Sequence, residues 1–209
     1  MLGIWYAGLV TDDDEPYEKA VERLTESNGV VGTGRHGICF NGEQGEVIKL
    51  HQSKDSAYID FINWVQTLTD ESFIKHFPRI LYTRLHGDHL TVICERLVHH
   101  EDLTVLERDS LSPAICPQSD LTLGQAMDQA KKRLEYAMNE KRGTQYMFDK
   151  SWARFEVINT LEEAMQALLL HVFIQGYACD LHDGNIMFRR NADLTVDAVI
   201  IDPFTTCLL

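Results

Sequence analysis

The chain is short of cations, of paired cysteines and of long apolar runs. Nineteen lysines and arginines stand against 32 acidic residues among 209, a formal charge of −13 at neutral pH. Such a surface repels phosphodiester backbones and anionic headgroups, so neither nucleic acid nor membrane is expected as a primary partner; basic protein surfaces are favoured instead. The five cysteines, Cys39, Cys94, Cys116, Cys179 and Cys207, include no C-x-x-C pair. That scatter argues against a disulfide framework and for free thiols in a reducing cytoplasm. No apolar stretch approaches the ~20 residues of a spanning helix. The opening MLGIWYAGLV has no basic lead and no cleavage site, and DDDE follows it, so it reads as a strand or docking segment. A soluble, cytoplasmic protein is the expectation. Repeats and low-complexity tracts are also absent. Histidine is not scarce, but His86/His89 and His99/His100 come without a second set of clustered ligands, and surface histidines are expected there in place of a metal centre.

What is present is ordinary globular material, 44% hydrophobic and 24% charged, enough for one compact domain or two small lobes sharing a cleft. EPYEKAVERLTE has helical spacing at Tyr17, Ala20, Val21 and Leu24, with acids Asp12 to Glu15 at its positive end and SNG to stop it. From Gly29 to Leu50 the pattern becomes strand–turn–strand, with Asn41-Gly42 and Gly45 as turn signals. SAYIDFINWVQTL predicts a helix with Tyr58, Phe61, Ile62 and Val65 on one face. FPRILYTRLHG and HLTVICERLV predict two strands. Residues 101–121, with Pro113, Pro117 and Ser119, read as a connector, and TLGQAMDQAKKRLEYAMNEK as a helix. ARFEVINTLEEAMQALLLHVFIQG carries an apolar stripe through Leu161, Ala164, Met165, Leu168, Leu169, Val172 and Phe173, closed by Gly176. NIMF and AVIID predict a closing hairpin. Parallel βαβ repeats are not indicated, and the expected class is α+β.

Four constellations carry chemistry. GTGRHG places Gly32, Gly34 and Gly37 in a G-x-G-x-x-G pattern. A dinucleotide fingerprint would open into a helix, whereas ICFNGEQG is strand and turn. A hairpin draped over nucleotide phosphates fits, since glycines let backbone N–H groups approach without Cβ interference. Lys49 lies in the return strand VIKL, twelve residues past Gly37. An ammonium among apolar neighbours needs pairing, and α- and β-phosphates supply it. ACDLHDGNIMF sets Asp180 five residues before Asn185. Phosphoryl transfer needs a carboxylate to orient the acceptor hydroxyl and take its proton, and an oxygen ligand for magnesium. His182 and Asp183 could position that loop. Last, Asp202 ends the apolar strand of VIIDPF, seventeen residues beyond Asn185, and the intervening hairpin would set the two side by side. Hard magnesium prefers such oxygen donors.

Glycine-rich loop, strand lysine, D-x-x-x-x-N and a terminal acid together resemble a protein kinase. The D-L-H-D-G-N form is also similar to small-molecule kinases such as aminoglycoside phosphotransferases. The histidine-bearing GNIMF-type loop, the D-P pair and the V-I-K strand most resemble the early serine/threonine kinases of T-odd podophages, over roughly Gly29 to Phe204. The resemblance implies a bilobal protein-kinase-like fold with a small antiparallel β N-lobe (1–100), a connector (101–121) and a truncated helical C-lobe (122–209). It implies ATP and Mg2+ as cofactors, with Gly32, Gly34, Gly37 and Lys49 on the phosphates and the stretch Glu95 to Val98, with Glu95 and Leu97, at the adenine. Asp180 and Lys49 would be catalytic, and Asn185 and Asp202 would hold the metal. The implied substrates are host bacterial transcription or RNA-processing proteins, modified in the host cytoplasm with shutdown of host transcription.

The chain also departs from the pattern. Cys179 stands where an arginine usually precedes the catalytic acid, so control by activation-loop phosphorylation is not expected. Asp202-Pro203-Phe204 replaces D-F-G, and only five residues follow Phe204, without the usual activation segment. Asp60 and Glu71 are candidates for a carboxylate beside Lys49. Two other readings stay open: a pseudokinase-like protein acting on a host protein by binding, and a small-molecule kinase of the aminoglycoside type.

Overall fold

A computed structural model of the chain describes residues 15–69, 74–107, 160–180, 183–193 and 195–205. The predicted 122–141 helix and most of the 101–121 connector lie outside them. The chain divides into two compact units. The first comprises residues up to Thr67 with Pro78–Arg96, and the second comprises Leu68–Phe77 with residues from Leu97 onward.

In the first unit, helix α1 (Tyr17–Asn28) buries Ala20 and Leu24 and ends at Gly29, whose φ of 72° only glycine adopts without strain. Pro16 cannot cap the helix with a side chain. Instead the Tyr17 N–H donates to Asp88 Oδ2 at 3.0 Å, from far along the chain. Five strands follow: β1 (Val30–Thr33), β2 (Gly37–Asn41), β3 (Val47–Gln52), β4 (Ile80–Leu85) and β5 (His89–Cys94). They form one sheet in the order β1-β2-β3-β5-β4, with every neighbouring pair antiparallel. Alternation sends Phe40, Ile48, Leu50 and Ile93 toward Ala20 and Leu24, a shared core to which Tyr17, Val21, Ile38 and Tyr82 add partly buried surface. Each fully buried Phe, Leu or Ile here stabilises by about 1.5–3 kcal/mol relative to exposure. The 42–46 turn works as its glycines predict, with Gly45 at φ 90°. Arg96, just past β5, donates to Asn41 Oδ1 (2.7 Å) and to the Gly45 carbonyl (3.3 Å), so the hairpin is tied to the strand end. Helix α2 (Ser56–Thr67) lies between β3 and β4 in sequence and buries the predicted face, Tyr58, Phe61, Ile62 and Val65, together with Ala57.

One expectation is corrected here. His86 and His89 are not surface residues: they are 6% and 0% exposed, and their rings stack at 4.4 Å. His89 Nδ1 lies 2.8 Å from Asp88 Oδ1, and the Tyr17 ring leans on it. The pair is a core element joining the β4–β5 turn to α1, and residue type alone does not show that a histidine can be buried this way.

In the second unit, helix α3 (Thr160–Gln175) buries Leu161, Ala164, Met165, Leu168 and Val172 and stops at Gly176, φ 74°. The side chains of Leu169 and Phe173, also expected in the stripe, are outside the described set. Two short sheets follow: β6 (Ala178–Cys179) pairs with β9 (Phe204–Thr205), and β7 (Ile186–Arg190) pairs with β8 (Val196–Ile200), both antiparallel. The β7–β8 hairpin is the predicted one; the β6–β9 pair is new. Segment 74–77 is stitched to this hairpin. Arg189 donates to the carbonyls of Lys75 and Phe77, the His76 ring contacts the Ala198 carbonyl at 2.8 Å, and Ile200 N–H donates to the His76 carbonyl at 2.9 Å. Among the described residues no helix is long and apolar enough to cross a membrane.

Candidate functional site

The glycine-rich turn joins β1 to β2. Gly34 N–H donates to the Gly37 carbonyl at 2.8 Å, and His36 carbonyl accepts from Gln52 N–H at 2.8 Å, so the turn is tight and anchored on β3. A Cβ on Gly32 would meet open space, and a ligand could approach that backbone closely. Gly37 is a glycine for a different reason. A Cβ there would lie 2.6 Å from His51 Nδ1 and 2.8 Å from the Leu50 carbonyl, closer than packing permits. None of the three has the left-handed φ found at Gly29, Gly45 and Gly176.

Lys49 sits at the middle of β3, paired with Cys39 on β2 and Val92 on β5, and is half-buried. Its Nζ lies 3.6 Å from the centroid of the Tyr58 ring on α2. Of the acids considered beside it, Asp60 is half-buried on α2 and Glu71 is outside the described residues. Cys94, at the end of β5, has its thiol pushed up to about 12, chiefly by burial and then by Cys39. In the segment expected to meet adenine, Glu95 accepts from the Arg79 N–H at 2.8 Å and its own N–H donates to the Arg79 carbonyl at 3.1 Å. Leu97 is half-buried, and Val98 forms a two-bond bridge with Phe188. The boundary between the units falls inside this segment, after Arg96.

In the second unit three of the predicted residues come together around main-chain hydrogen bonds. Asp180 follows β6, and its N–H donates to the Pro203 carbonyl at 2.7 Å. Asn185 closes a 3-10 turn (Asp183–Asn185), and its Nδ2 donates to the Asp180 carbonyl at 2.8 Å. The Asn185 carbonyl in turn accepts from the Ile201 N–H at 3.0 Å, next to Asp202. These bonds place Asp180, Asn185 and Asp202 on three adjoining strand ends. Asp180 is exposed, and Asn185 and Asp202 are half-buried. Leu181, His182 and the Asp183 side chain are outside the described set. With Nδ2 turned to Asp180, the Asn185 Oδ1 is directed away from that carbonyl. An amide oxygen and a carboxylate suit a hard cation such as magnesium. Among the described residues no three of His, Cys, Asp and Glu could hold a metal by themselves. Magnesium commonly takes one or two protein oxygens and completes its shell with phosphate and water, and the donors here fit that mode.

Comparison with known proteins returns structures only. The BubR1 kinase domain is similar at TM-score 0.38 and 12% identity, over 83% of this chain and 44% of that one. The streptomycin–ATP ternary complex of APH(2″)-IIa is similar at 0.35 and 14%, over 94% of this chain and 73% of the other. The ADP-bound aminoglycoside phosphotransferase APH(2″)-Ib is similar at 0.33 and 13%, over 89% and 71%. The chain thus spans less than half the length of the BubR1 chain that it matches. No family model matches it, and no curated protein does. The residues themselves carry the reading that follows.

Sequence reading missed two parts of the site. The β6–β9 pair that holds Asp180 is made of two-residue strands, too short for any periodic signal. Tyr58 was legible only as a face residue and the His51–Asp55 pair not at all, because the contacts of Tyr58 with Lys49 and with His51 are a product of how α2 packs on β3.

Proposed function

We propose that the chain is an ATP- and magnesium-dependent phosphotransferase of protein-kinase type, acting on serine or threonine hydroxyls. The observation that carries it is the Asp180–Asn185–Asp202 arrangement, an exposed carboxylate near an amide and a second acid, fixed by main-chain bonds and by the Asn185 side chain on the Asp180 carbonyl. Asp180 would accept a hydrogen bond from the acceptor hydroxyl, align it with the γ-phosphorus and take its proton as the new O–P bond forms and the bond to ADP breaks. Asn185 and Asp202 would hold magnesium, which when bound supplies charge neutralisation at the phosphate oxygens. Lys49 and the backbone of the Gly32–Gly37 turn would bind phosphate oxygens, the ammonium by charge and the turn by N–H donation.

The acidic charge and the loop's likeness to phage early kinases support host bacterial proteins of the transcription or RNA-processing machinery as acceptors, in the host cytoplasm. The test is transfer from γ-labelled ATP to proteins of a bacterial lysate, with Asp180→Ala beside the wild type. Transfer should fall by about 10²–10⁴-fold, the range of a positioned general base. Equal labelling by the two proteins would end the assignment. Labelling of an added aminoglycoside but of no protein would move the acceptor to the small-molecule class.

A further inference from the structure

Lys49 and His51 are two residues apart on β3 and therefore point to the same face of the sheet. One side chain touches both. The Tyr58 ring, 3% exposed, lies 3.6 Å from Lys49 Nζ and 4.1 Å from the His51 ring, tilted by 32°. His51 Nε2–H donates to Asp55 Oδ2 at 2.8 Å. Asp55 stands immediately before α2 and accepts the Tyr58 N–H, the place and role of a helix N-cap. Burial works to raise the Asp55 carboxyl, but the His51 hydrogen bond and charge outweigh it and hold it below the usual value. Asp55 thus stays ionised and fixes both the helix start and the imidazole. Above them, the missing Cβ of Gly37 lets His51 sit directly under the glycine-rich turn, and the His36 ring meets His51 edge-on at 6.4 Å.

We propose that Tyr58 is a positioning residue for Lys49, holding the ammonium by a cation–π contact on a ring that His51 and Asp55 keep in place. The negative face of an aromatic ring attracts an ammonium without neutralising it, so the full charge stays available for phosphate. The same connection couples the turn that would cover the phosphates to the lysine that would grip them. Gly37 rests on His51, His51 on Tyr58, and Tyr58 on Lys49. The contact is a property of the first unit alone, whereas its consequence for nucleotide binding rests on the phosphotransferase reading.

Two readouts separate those halves. The first is the ring-current shift on the Lys49 ε-methylene protons, assigned by comparison with Lys49→Arg. The second is the Mg-ATP dissociation constant, with KM for ATP and kcat. Tyr58→Leu should abolish the upfield shift and weaken Mg-ATP about three- to tenfold through KM, with kcat changed less than about twofold. Tyr58→Phe, which keeps the ring, should preserve the shift and bind within about twofold of wild type. Ile62→Val, buried one turn further along α2, controls for loosened packing: it should lower the melting temperature without weakening Mg-ATP. The proposal is overturned if wild type shows no upfield shift, if Tyr58→Leu binds Mg-ATP as well as Tyr58→Phe, or if Ile62→Val weakens it equally. A wild type that shows the shift but binds no Mg-ATP keeps the contact, and it overturns the phosphotransferase reading together with the role drawn from it.

Discussion

Lys49 and Asp180 stand in different units and are held by different means. Lys49 is placed by side chains: a ring on α2, an imidazole two residues along β3, and a carboxylate that caps the helix. Asp180, Asn185 and Asp202 are placed by backbone. Asp180 N–H reaches Pro203, Ile201 N–H reaches Asn185, and the Asn185 side chain itself ends on a main-chain group, the Asp180 carbonyl. Position set by the main chain survives truncation of the functional group, because the strand ends stay paired. Position set by packed side chains does not. Substitutions in the second unit should therefore separate activity from stability, and those beneath the glycine-rich turn should mix the two.

The largest expected effect breaks activity alone. On the proposed function, Asp202→Ala should reduce phosphate transfer by at least about a hundredfold, since the second oxygen donor of the proposed magnesium site would be lost. The half-buried carboxylate is not part of the core, so the melting temperature should stay within a few degrees. Asn185→Ala sharpens the comparison, because it removes the donor to the Asp180 carbonyl as well as the oxygen proposed for the metal. It should cost about 0.5–1.5 kcal/mol of stability on top of a comparable loss of transfer. If Asp202→Ala melts as low as Asn185→Ala, the strand ends depend on the carboxylate and the contrast between the units fails.

Gly37→Ala tests the other side. The new methyl would meet the Leu50 carbonyl at 2.8 Å and His51 Nδ1 at 2.6 Å, and the carbonyl belongs to a central strand that cannot retreat. Strain of this kind costs roughly 1–3 kcal/mol. It also displaces His51, so weaker nucleotide binding should accompany the lower melting temperature. Gly32→Ala, where a methyl meets open space, should leave the melting temperature nearly unchanged. Equal destabilisation by the two would mean that the turn is not seated on His51.

These contrasts also mark what could be read from the chain itself. The α1 stripe, the hairpin at Asn41-Gly42, the α2 face, the α3 stripe and the β7–β8 hairpin were legible because each repeats an apolar residue at a fixed period between turn formers. The acid–amide–acid spacing was legible for a related reason: Asn185 and Asp202 flank a hairpin that pairs Ile186 with Ile200, so strand register alone brings them close. Contacts between elements carry no such signature. Tyr58 on Lys49, the buried His86–His89 stack, and Arg189 on the Lys75 and Phe77 carbonyls depend on how helices and loops dock, and no local pattern encodes that.

The smallest effect concerns both units at once. Burial pushes the His76 and His86 rings below the ordinary 6.5, with neighbouring positive groups adding to it: Lys75 for His76, and Arg84 for His86. A depressed pKa means that the unfolded chain takes up a proton before the folded one does. The stability these rings contribute is thus fully present above about pH 6.5 and is lost as pH falls through their folded values. Asp55, held below 3.8, adds a loss at still lower pH by the same sign. The melting temperature should be flat above neutrality and decline from about pH 6.5 downward. His76→Gln should lessen the slope, since one titrating ring is gone while an amide N–H can still reach the Ala198 carbonyl. His86 sits in the first unit and His76 in the second, so a decline wholly removed by His76→Gln would assign the acid sensitivity to the second unit alone. An unchanged slope would assign it to the first.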